Sequence, residues 1–240
     1  MTLGKTIRDS GVVLRTIKLG EADRIVTILT VNNGKIKGVA KGARKSGSKY
    51  SARLETGSVI DFQWISSTKE LVRLTQTDTL FSNRHLRENL DLVNATARML
   101  DAVDTLCEDH SPHSDLAVMT IRALKTMNEL KSSIVCGAFL IKLLSLEGFT
   151  PEVRACTGCS NKDNLDFFSI PNAAFFCEDC STSEMVKTLR PTRVTLEAIL
   201  DGKLSAVLES IPEDVAKELE SLGVNLIEFH TGHGLRALSV

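Results

Sequence analysis

Four cysteines in two closely spaced pairs are the residues of this sequence best suited to chemistry. Cys156 and Cys159 form one Cys-x-x-Cys pair, Cys177 and Cys180 form a second, and residues 160–176 separate them. Two intervening residues let both sulfurs of a pair reach one ion from a tight turn, and Zn²⁺ prefers tetrahedral thiolate coordination. Because four sulfur ligands leave no coordination position for water, the spacing predicts a structural rather than a catalytic zinc ion.

Other uses of these four cysteines fit the sequence less well. Two disulfides would need an oxidising compartment, and residues 1–11 contain no apolar stretch that resembles a secretory signal. A redox dithiol usually comes as a single pair at the start of a helix, whereas an iron–sulfur cluster is the alternative for all four ligands. The other two cysteines, Cys107 and Cys136, lie in apolar helical patterns and are interpreted as buried hydrophobic residues.

Enzymatic signatures are missing from the sequence. Zinc nucleobase deaminases carry a His-x-Glu motif and a proline before their second cysteine pair, but here Phe176 precedes Cys177 and no histidine starts such a motif. A zinc hydrolase would need a histidine or carboxylate in place of one cysteine ligand. No Ser/His/Asp arrangement or carboxylate pair is recognisable either, so we expect a protein that is not an enzyme.

Positive charge is concentrated near the N-terminus. Residues 1–53 contain twelve Lys and Arg but only three acidic residues, a net charge of +9, whereas the whole chain carries −1. The remaining residues therefore carry −10, and this asymmetry favours a polyanionic partner for the basic part. The longest apolar run, residues 134–146, is interrupted by Lys142 and is too short to span a bilayer, so we expect no membrane association.

The basic part of the chain has the pattern of a small β-barrel. β-Branched or alternating segments at residues 11–14, 24–31, 35–42, 58–65 and 70–75 predict five short strands, with a hairpin turn at residues 32–34. Five strands in this length suggest a closed barrel of the OB type, which commonly binds nucleic acid. Alternation would place Lys35, Lys37 and Lys41 on one exposed face of a strand.

A basic Ser/Gly-containing loop follows that strand and completes the predicted phosphate-binding surface. Such a surface would neutralise phosphates without reading bases. Aromatic stacking on Tyr50 or Trp64 is a weaker prediction, because aromatic residues make up 5% of the chain and Trp64 in a strand is more typical of a core. The predicted nucleic-acid-binding residues are Arg15, Arg24, Lys35, Lys37, Lys41, Arg44, Lys45, Lys49 and Arg53.

Beyond the barrel the hydrophobic period becomes helical. The pattern predicts helices over residues 86–107, 114–130, 132–146, 191–200 and 212–230, with Gly148 ending the third one. The third is apolar nearly all round and should lie at the centre of a helical bundle. We therefore predict an α+β multidomain chain. It comprises an OB-fold barrel (residues 1–80), a helical domain (81–152 and 184–240) and an inserted four-cysteine zinc module (153–183).

Several segments, in this order along the chain, resemble the bacterial DNA repair protein RecO family. The likeness extends over essentially the whole length, and the four cysteines match those members that carry a zinc module. The segments are GVVLRT (residues 11–16), GEADRIVT (20–27), GK (34–35), VAKGARK (39–45), EGFTP (147–151) and GHGLRALS (232–239).

The resemblance implies a function that spacing alone does not. RecO-like proteins bind single- and double-stranded DNA, anneal complementary strands and help load RecA onto DNA coated by the single-stranded-DNA-binding protein SSB. They act with RecR and often RecF, and they bind the acidic C-terminal tail of SSB, which places them in the cytoplasm at the nucleoid. The alternative from the residues alone is an RNA-binding OB and zinc-ribbon factor of translation or transcription, since a basic barrel does not distinguish DNA from RNA.

Overall fold

Five strands near the N-terminus close into a barrel, as predicted. The computed structural model describes residues 5–66, 71–109 and 113–236. The barrel has the strand order β1-β2-β3-β5-β4, with β4 returning to β1, and all neighbours are antiparallel except β3 and β5. The strands are β1 (Thr6–Leu19), β2 (Asp23–Thr30), β3 (Lys35–Ala40), β4 (Val59–Ile65) and β5 (Leu71–Phe81).

Alternate side chains of these strands fill the barrel interior. Phe62 and Trp64, two residues apart on β4, stack with ring centroids 5.0 Å apart, and both are buried. Tyr50 is buried as well, and its hydroxyl donates to the Leu74 carbonyl oxygen at 3.2 Å. Neither Tyr50 nor Trp64 can therefore serve as a stacking platform for bases. The burial of Trp64 follows from the pleat, which turns every second side chain of a strand toward the core, whereas Tyr50 precedes the 3₁₀ turn Ser51–Leu54.

The predicted helices are all present. They are α1 (Leu90–Leu106), α2 (Ser114–Leu130), α3 (Ile134–Leu146), α4 (Arg190–Leu200) and α6 (Glu213–Thr231), and a short α5 (Leu204–Val207) was not predicted. Gly148 has a φ of 89°, a left-handed conformation that suits the end of α3. Residue 70 of the fifth predicted strand and residues 237–239 of the GHGLRALS segment lie outside the described residues.

Helix α3 is buried along most of its length and packs closely against α6. A Cβ built on Gly137 would come within 2.7 Å of the Glu220 backbone nitrogen, and one on Gly223 within 2.8 Å of the Leu140 Cβ. Both glycines therefore allow the two helix backbones to approach more closely than any other residue would. Among the described residues, no helix is long and apolar enough to cross a membrane.

A small three-stranded sheet lies between α3 and α4 in the chain. Its strands are β6 (Phe167–Ser169), β7 (Ala174–Phe176) and β8 (Val186–Lys187), in the order β7-β6-β8. The sequence pattern predicts that the module ends at residue 183, but β8 lies beyond that residue. We therefore call residues 153–187 the four-cysteine module.

The chain divides into two compact units. One comprises Met1–Thr96 and Val103–Lys131, and the other comprises Ala97–Ala102 and Ser132–Val240. The first contains the barrel and α2, the second contains α3 to α6 and the four-cysteine module, and α1 contributes residues to both. The three-domain division of the sequence analysis stays a prediction.

Candidate metal centre and nucleic-acid interface

The four cysteines of the module converge on one point. Their sulfur atoms all lie within 4.8 Å of one another, and the Sγ atoms of Cys159 and Cys177 are 3.6 Å apart. Four sulfurs at about 2.3 Å from a central zinc would be about 3.8 Å from each other. The donor set therefore fits a tetrahedral metal ion, and it includes neither a histidine nor a carboxylate.

Each cysteine pair is shaped by a tight turn. Ser160 has a φ of 62°, and its amide donates to the Cys156 carbonyl oxygen at 2.7 Å, which closes the first turn. The second pair flanks a single turn of 3₁₀ helix, Glu178–Cys180. A Cβ on Gly158 would lie 3.0 Å from the Cys180 sulfur, so the absence of a side chain there leaves room for the four sulfurs to meet.

Without a metal, the thiols of Cys156 and Cys180 have different pKa values. Burial acts to raise the pKa of Cys156, but backbone amides of Cys177, Cys159 and Gly158 lower it to about 6. Hydrogen bonds with Cys159, Cys177 and Cys156 raise the pKa of Cys180 to about 12. The cluster therefore holds negative charge at Cys156 first, and a cation that binds there would stabilise further thiolates.

Arginine side chains connect the four-cysteine module to α4. The Arg154 guanidinium pairs with Asp201 and, at 3.2 Å, with Glu197. Arg193 of α4 donates to the Val153 carbonyl oxygen at 3.1 Å. These contacts give the module support from the helical part of its own unit, in addition to whatever the cysteines bind.

A basic groove is the second candidate site, and it belongs to the unit that contains the barrel. Its volume is about 500 Å³. Four cationic side chains and one carboxylate line it, so the net charge of its ionisable walls is strongly positive. The lining residues are Arg24, Ala43, Arg44, Lys45, Ala52, Glu55 and Arg87, and we refer to them as the basic groove.

Hydrogen bonds hold the basic loop after β3 in place. The Arg44 amide donates to the Ala22 carbonyl oxygen at 2.9 Å, and the Arg44 guanidinium donates to the Gly20 carbonyl oxygen at 2.8 Å. The Gly42 amide donates to the Asp23 carboxylate at 2.8 Å. The turn between β1 and β2 thus fixes the loop that carries two of the groove cations.

The structure corrects the prediction that Lys35 lies on an exposed face. Lys35 is only 7% exposed. Its ammonium donates to the Asp104 carbonyl oxygen at 2.6 Å and pairs with the carboxylates of Asp104 and Asp109 at 3.2 and 3.3 Å. Lys37 points the same way, as alternation predicts, but pairs with Asp109 at 2.7 Å. The end of α1 and the residues after it cover this lysine face and remove Lys35 from solvent.

The other predicted cations fall into two groups. Arg24 and Arg53 pair with carboxylates, Arg24 with Glu55 at 2.8 Å and Arg53 with Asp78 at 3.5 Å. Lys49 is exposed, and its ammonium donates to the Thr75 carbonyl oxygen at 2.7 Å. Together with Lys49, the exposed cations that make no ion pair in the described part of the chain are Arg15, Lys41, Arg44 and Lys45.

The groove also contains a cation that the sequence analysis missed. Arg87 lies at the end of a 3₁₀ turn that buried Leu86 anchors, and its guanidinium is 3.3 Å from the Ser58 hydroxyl. Arg87 follows β5, the last strand of the barrel, and lies outside the strongly charged N-terminal stretch, so no local pattern indicates it. The groove therefore joins Arg24, Arg44 and Lys45 from the predicted set with one arginine from a later segment.

Comparisons with known proteins cover nearly the whole chain. The family model described as "Recombination protein O N terminal" matches residues 1–83, and that described as "Recombination protein O C terminal" matches residues 87–239. The DNA repair protein RecO of Streptomyces coelicolor is 32% identical over 240 residues, covering 96% of each chain. That of Bacillus pumilus is 34% identical over 182 residues, covering 75% of this chain and 71% of the relative. The chain therefore belongs to the RecO family of DNA repair proteins.

Proposed function

We propose that this RecO-family chain is a DNA-binding recombination mediator that works by neutralising phosphates rather than by breaking bonds. The observation that carries the proposal is the basic groove, where Arg24, Arg44, Lys45 and Arg87 line one concavity on the barrel. Cations of this kind bind the nucleic-acid backbone with little sequence preference. The buried positions of Tyr50 and Trp64 favour backbone contacts over base stacking.

Phosphate neutralisation also supports the further activities that the family resemblance implies. A surface that contacts only phosphates accepts both single- and double-stranded DNA, and it lowers the repulsion between two complementary strands during annealing. We propose that the chain uses this property with RecR, and with RecF where present, to load RecA onto SSB-coated DNA, and that it binds the acidic SSB tail. A DNA ligand of this kind implies a cytoplasmic, nucleoid-associated protein.

For the four-cysteine module we propose a structural Zn²⁺. Cys156, Cys159, Cys177 and Cys180 would hold it, and a closed thiolate set favours zinc over metals that prefer oxygen ligands. When bound, the ion supplies a cross-link among four points of a short sheet. No reaction is assigned to it, because four protein sulfurs leave no position for a substrate.

Salt-dependent DNA binding tests the proposed function. The affinity of the full chain for labelled single- and double-stranded oligomers is measured by fluorescence anisotropy over a range of salt concentrations. Log affinity should fall linearly with log salt, with a slope of about 0.7 per phosphate contact for single strands and about 0.9 for duplexes. Lys45→Ala and Arg87→Gln should each weaken binding and flatten the slope by about one contact.

Matched variants far from the groove in sequence provide the control. Lys162→Ala and Arg190→Gln remove one lysine and one arginine, both exposed, from the other unit and should leave the slope unchanged. If the groove variants behave like these controls, the DNA site lies elsewhere. Competition with RNA oligomers of matched sequence gives the second readout, and equal competition would favour the RNA-binding alternative.

A further inference from the structure

One carboxylate lies among the cations of the basic groove. Glu55 accepts a hydrogen bond from the Arg24 guanidinium at 2.8 Å, and the side chains of Arg24 and Glu55 are 23% and 41% exposed. Carboxylates and phosphates use the same arrangement of oxygens toward a guanidinium. Glu55 thus binds the Arg24 guanidinium, a group that is equally suited to a phosphate.

The backbone on both sides of Glu55 is fixed. Residue 55 ends a 3₁₀ turn, Ser51–Leu54, whose Leu54 is fully buried and whose Leu54 carbonyl oxygen accepts from the Thr16 hydroxyl at 2.6 Å. On the other side, the Ser58 amide donates to the Glu55 carbonyl oxygen at 3.0 Å. The carboxylate is therefore presented to Arg24 by a rigid segment of the barrel.

The backbone of Arg24 is held in the barrel. Arg24 is the second residue of β2, and its Cα is in register with Lys18 of β1 and Ala40 of β3. The other groove cations Arg44, Lys45 and Arg87 make no ion pair within the described part of the chain. Three cations of the groove are thus available to bind phosphate, whereas Arg24 is already paired with the Glu55 carboxylate.

We propose that Glu55 is an internal competitor for phosphate at Arg24, which makes tight binding depend on a ligand that supplies several phosphates at once. A strand that engages Arg44, Lys45 and Arg87 brings a further phosphate close enough to displace the carboxylate. A single phosphate group gains no such help and meets Glu55 as a like charge. This inference rests on the proposed function and assigns a selectivity role within the same site.

The variant Glu55→Gln tests the proposal, with a labelled single-stranded oligothymidine as the probe. Loss of the competing charge should raise affinity by about three- to tenfold at low salt. In wild type the displaced Glu55 carboxylate takes up a cation, which offsets the cation that the phosphate at Arg24 releases. Removal of this carboxylate should therefore steepen the slope of log affinity against log salt by about 0.7. In the Arg24→Gln background, Glu55→Gln should produce neither change.

A second barrel carboxylate provides the matched control. Asp61 pairs with Arg8 at the same 2.8 Å but does not line the basic groove, so Asp61→Asn removes one charge and one pair without freeing Arg24. It should leave the slope unchanged. A Glu55→Gln variant that matches wild type, or whose gain persists without Arg24, would overturn the proposal while leaving DNA binding intact. Wild-type protein without salt-dependent DNA binding would instead overturn the proposed function itself.

Discussion

The barrel and the four-cysteine module are both small β-structures, but they differ in how much apolar core stabilises them. The barrel closes five strands around a continuous apolar core that includes Phe62, Ile28 and Leu74. The module has strands of two or three residues, and a T-shaped pair of Phe168 and Phe175 supplies the main aromatic contact of its interior. A sheet this small buries too little apolar surface to be stable alone, and metals commonly make up the difference in such modules.

The comparison shows how stability frees a surface for function. Because its interior stabilises the barrel, cations such as Lys41 and Lys45 can remain exposed, without an ion pair in the part of the chain that the structure describes. In the module, by contrast, the proposed zinc would make the four cysteines themselves the structural element. An ion held by all four sulfurs would have no open coordination position for a substrate.

The largest expected effect comes from the metal ligands. Cys156→Ser or Cys180→Ser should abolish stoichiometric metal binding and unfold at least the four-cysteine module, because structural zinc contributes on the order of 10 kcal/mol in small isolated modules. Metal analysis and far-ultraviolet circular dichroism measure the two outcomes. The contacts of Arg154 and Arg193 with α4 and with the module backbone should reduce the loss below that of an isolated module.

Cys107→Ala provides the control for the ligand variants, since Cys107 is buried outside the cluster. It should leave metal content unchanged. The salt slope of DNA binding should survive Cys156→Ser, because all groove residues belong to the other unit. The structural role of zinc would be contradicted if the purified protein contained no metal and its melting temperature did not change when a chelator was added.

A core substitution in the barrel should act independently of metal. Phe62→Ala removes a fully buried ring that stacks on Trp64, and the cavity should cost about 3–5 kcal/mol of unfolding free energy. Urea unfolding with and without a chelator measures the effect. The destabilisation should be the same under both conditions and metal stoichiometry should not change. A chelator-dependent loss would show that the two regions do not have separate sources of stability.

Substitutions of two barrel lysines should distinguish a residue that stabilises the fold from one that binds DNA. Lys35→Met leaves the Asp104 and Asp109 carboxylates without their shared partner and should cost about 1–3 kcal/mol. Lys45→Met at an exposed site should change stability by less than about 0.5 kcal/mol while weakening DNA binding. Chemical unfolding and anisotropy together measure both quantities. Equal stability of the two variants would contradict the structural assignment of Lys35.

The pH dependence of stability gives an independent check on the same ion pairs. Burial opposes the shift, but Lys37 and Lys35 together hold the pKa of Asp109 below its ordinary value of 3.8. A carboxylate with a lowered pKa stabilises the fold above its unfolded-state pKa, and this contribution is lost as the pH falls through the folded-state pKa. The stability difference between wild type and Lys35→Met should therefore shrink below about pH 4.

Local patterns account for the parts of the molecule that the sequence predicted well. A Cys-x-x-Cys pair forms a short turn from neighbouring residues. Two such pairs therefore predict a metal-binding cluster without knowledge of the rest of the fold. The β-branched strands and the apolar helix α3 were also predictable, because residues close together in the sequence determine both patterns. Burial of Lys35 could not be predicted this way, because Asp104 and Asp109 cover it from a distant part of the sequence.

The basic groove illustrates the same limit on a functional site. Arg24, Lys45, Glu55 and Arg87 come from a strand, a loop, the end of a 3₁₀ turn and the segment before α1. The basic region is evident from the sequence, because the net charge of a segment does not depend on how the chain folds. Net charge could not reveal Arg87 or the pairing of Glu55 with Arg24, since barrel closure brings these residues together.

The hydrogen-bonded loop after β3 affects the rate at which the protein can associate with a polyanionic ligand. Its hydrogen bonds to Gly20, Ala22 and Asp23 order Gly42 and Arg44 during folding, so their conformational entropy is already lost before a ligand arrives. Association with a polyanion then needs no slow search among loop conformers. Long-range attraction between the exposed cations and the ligand can set the encounter rate, which should approach the diffusion limit at low salt.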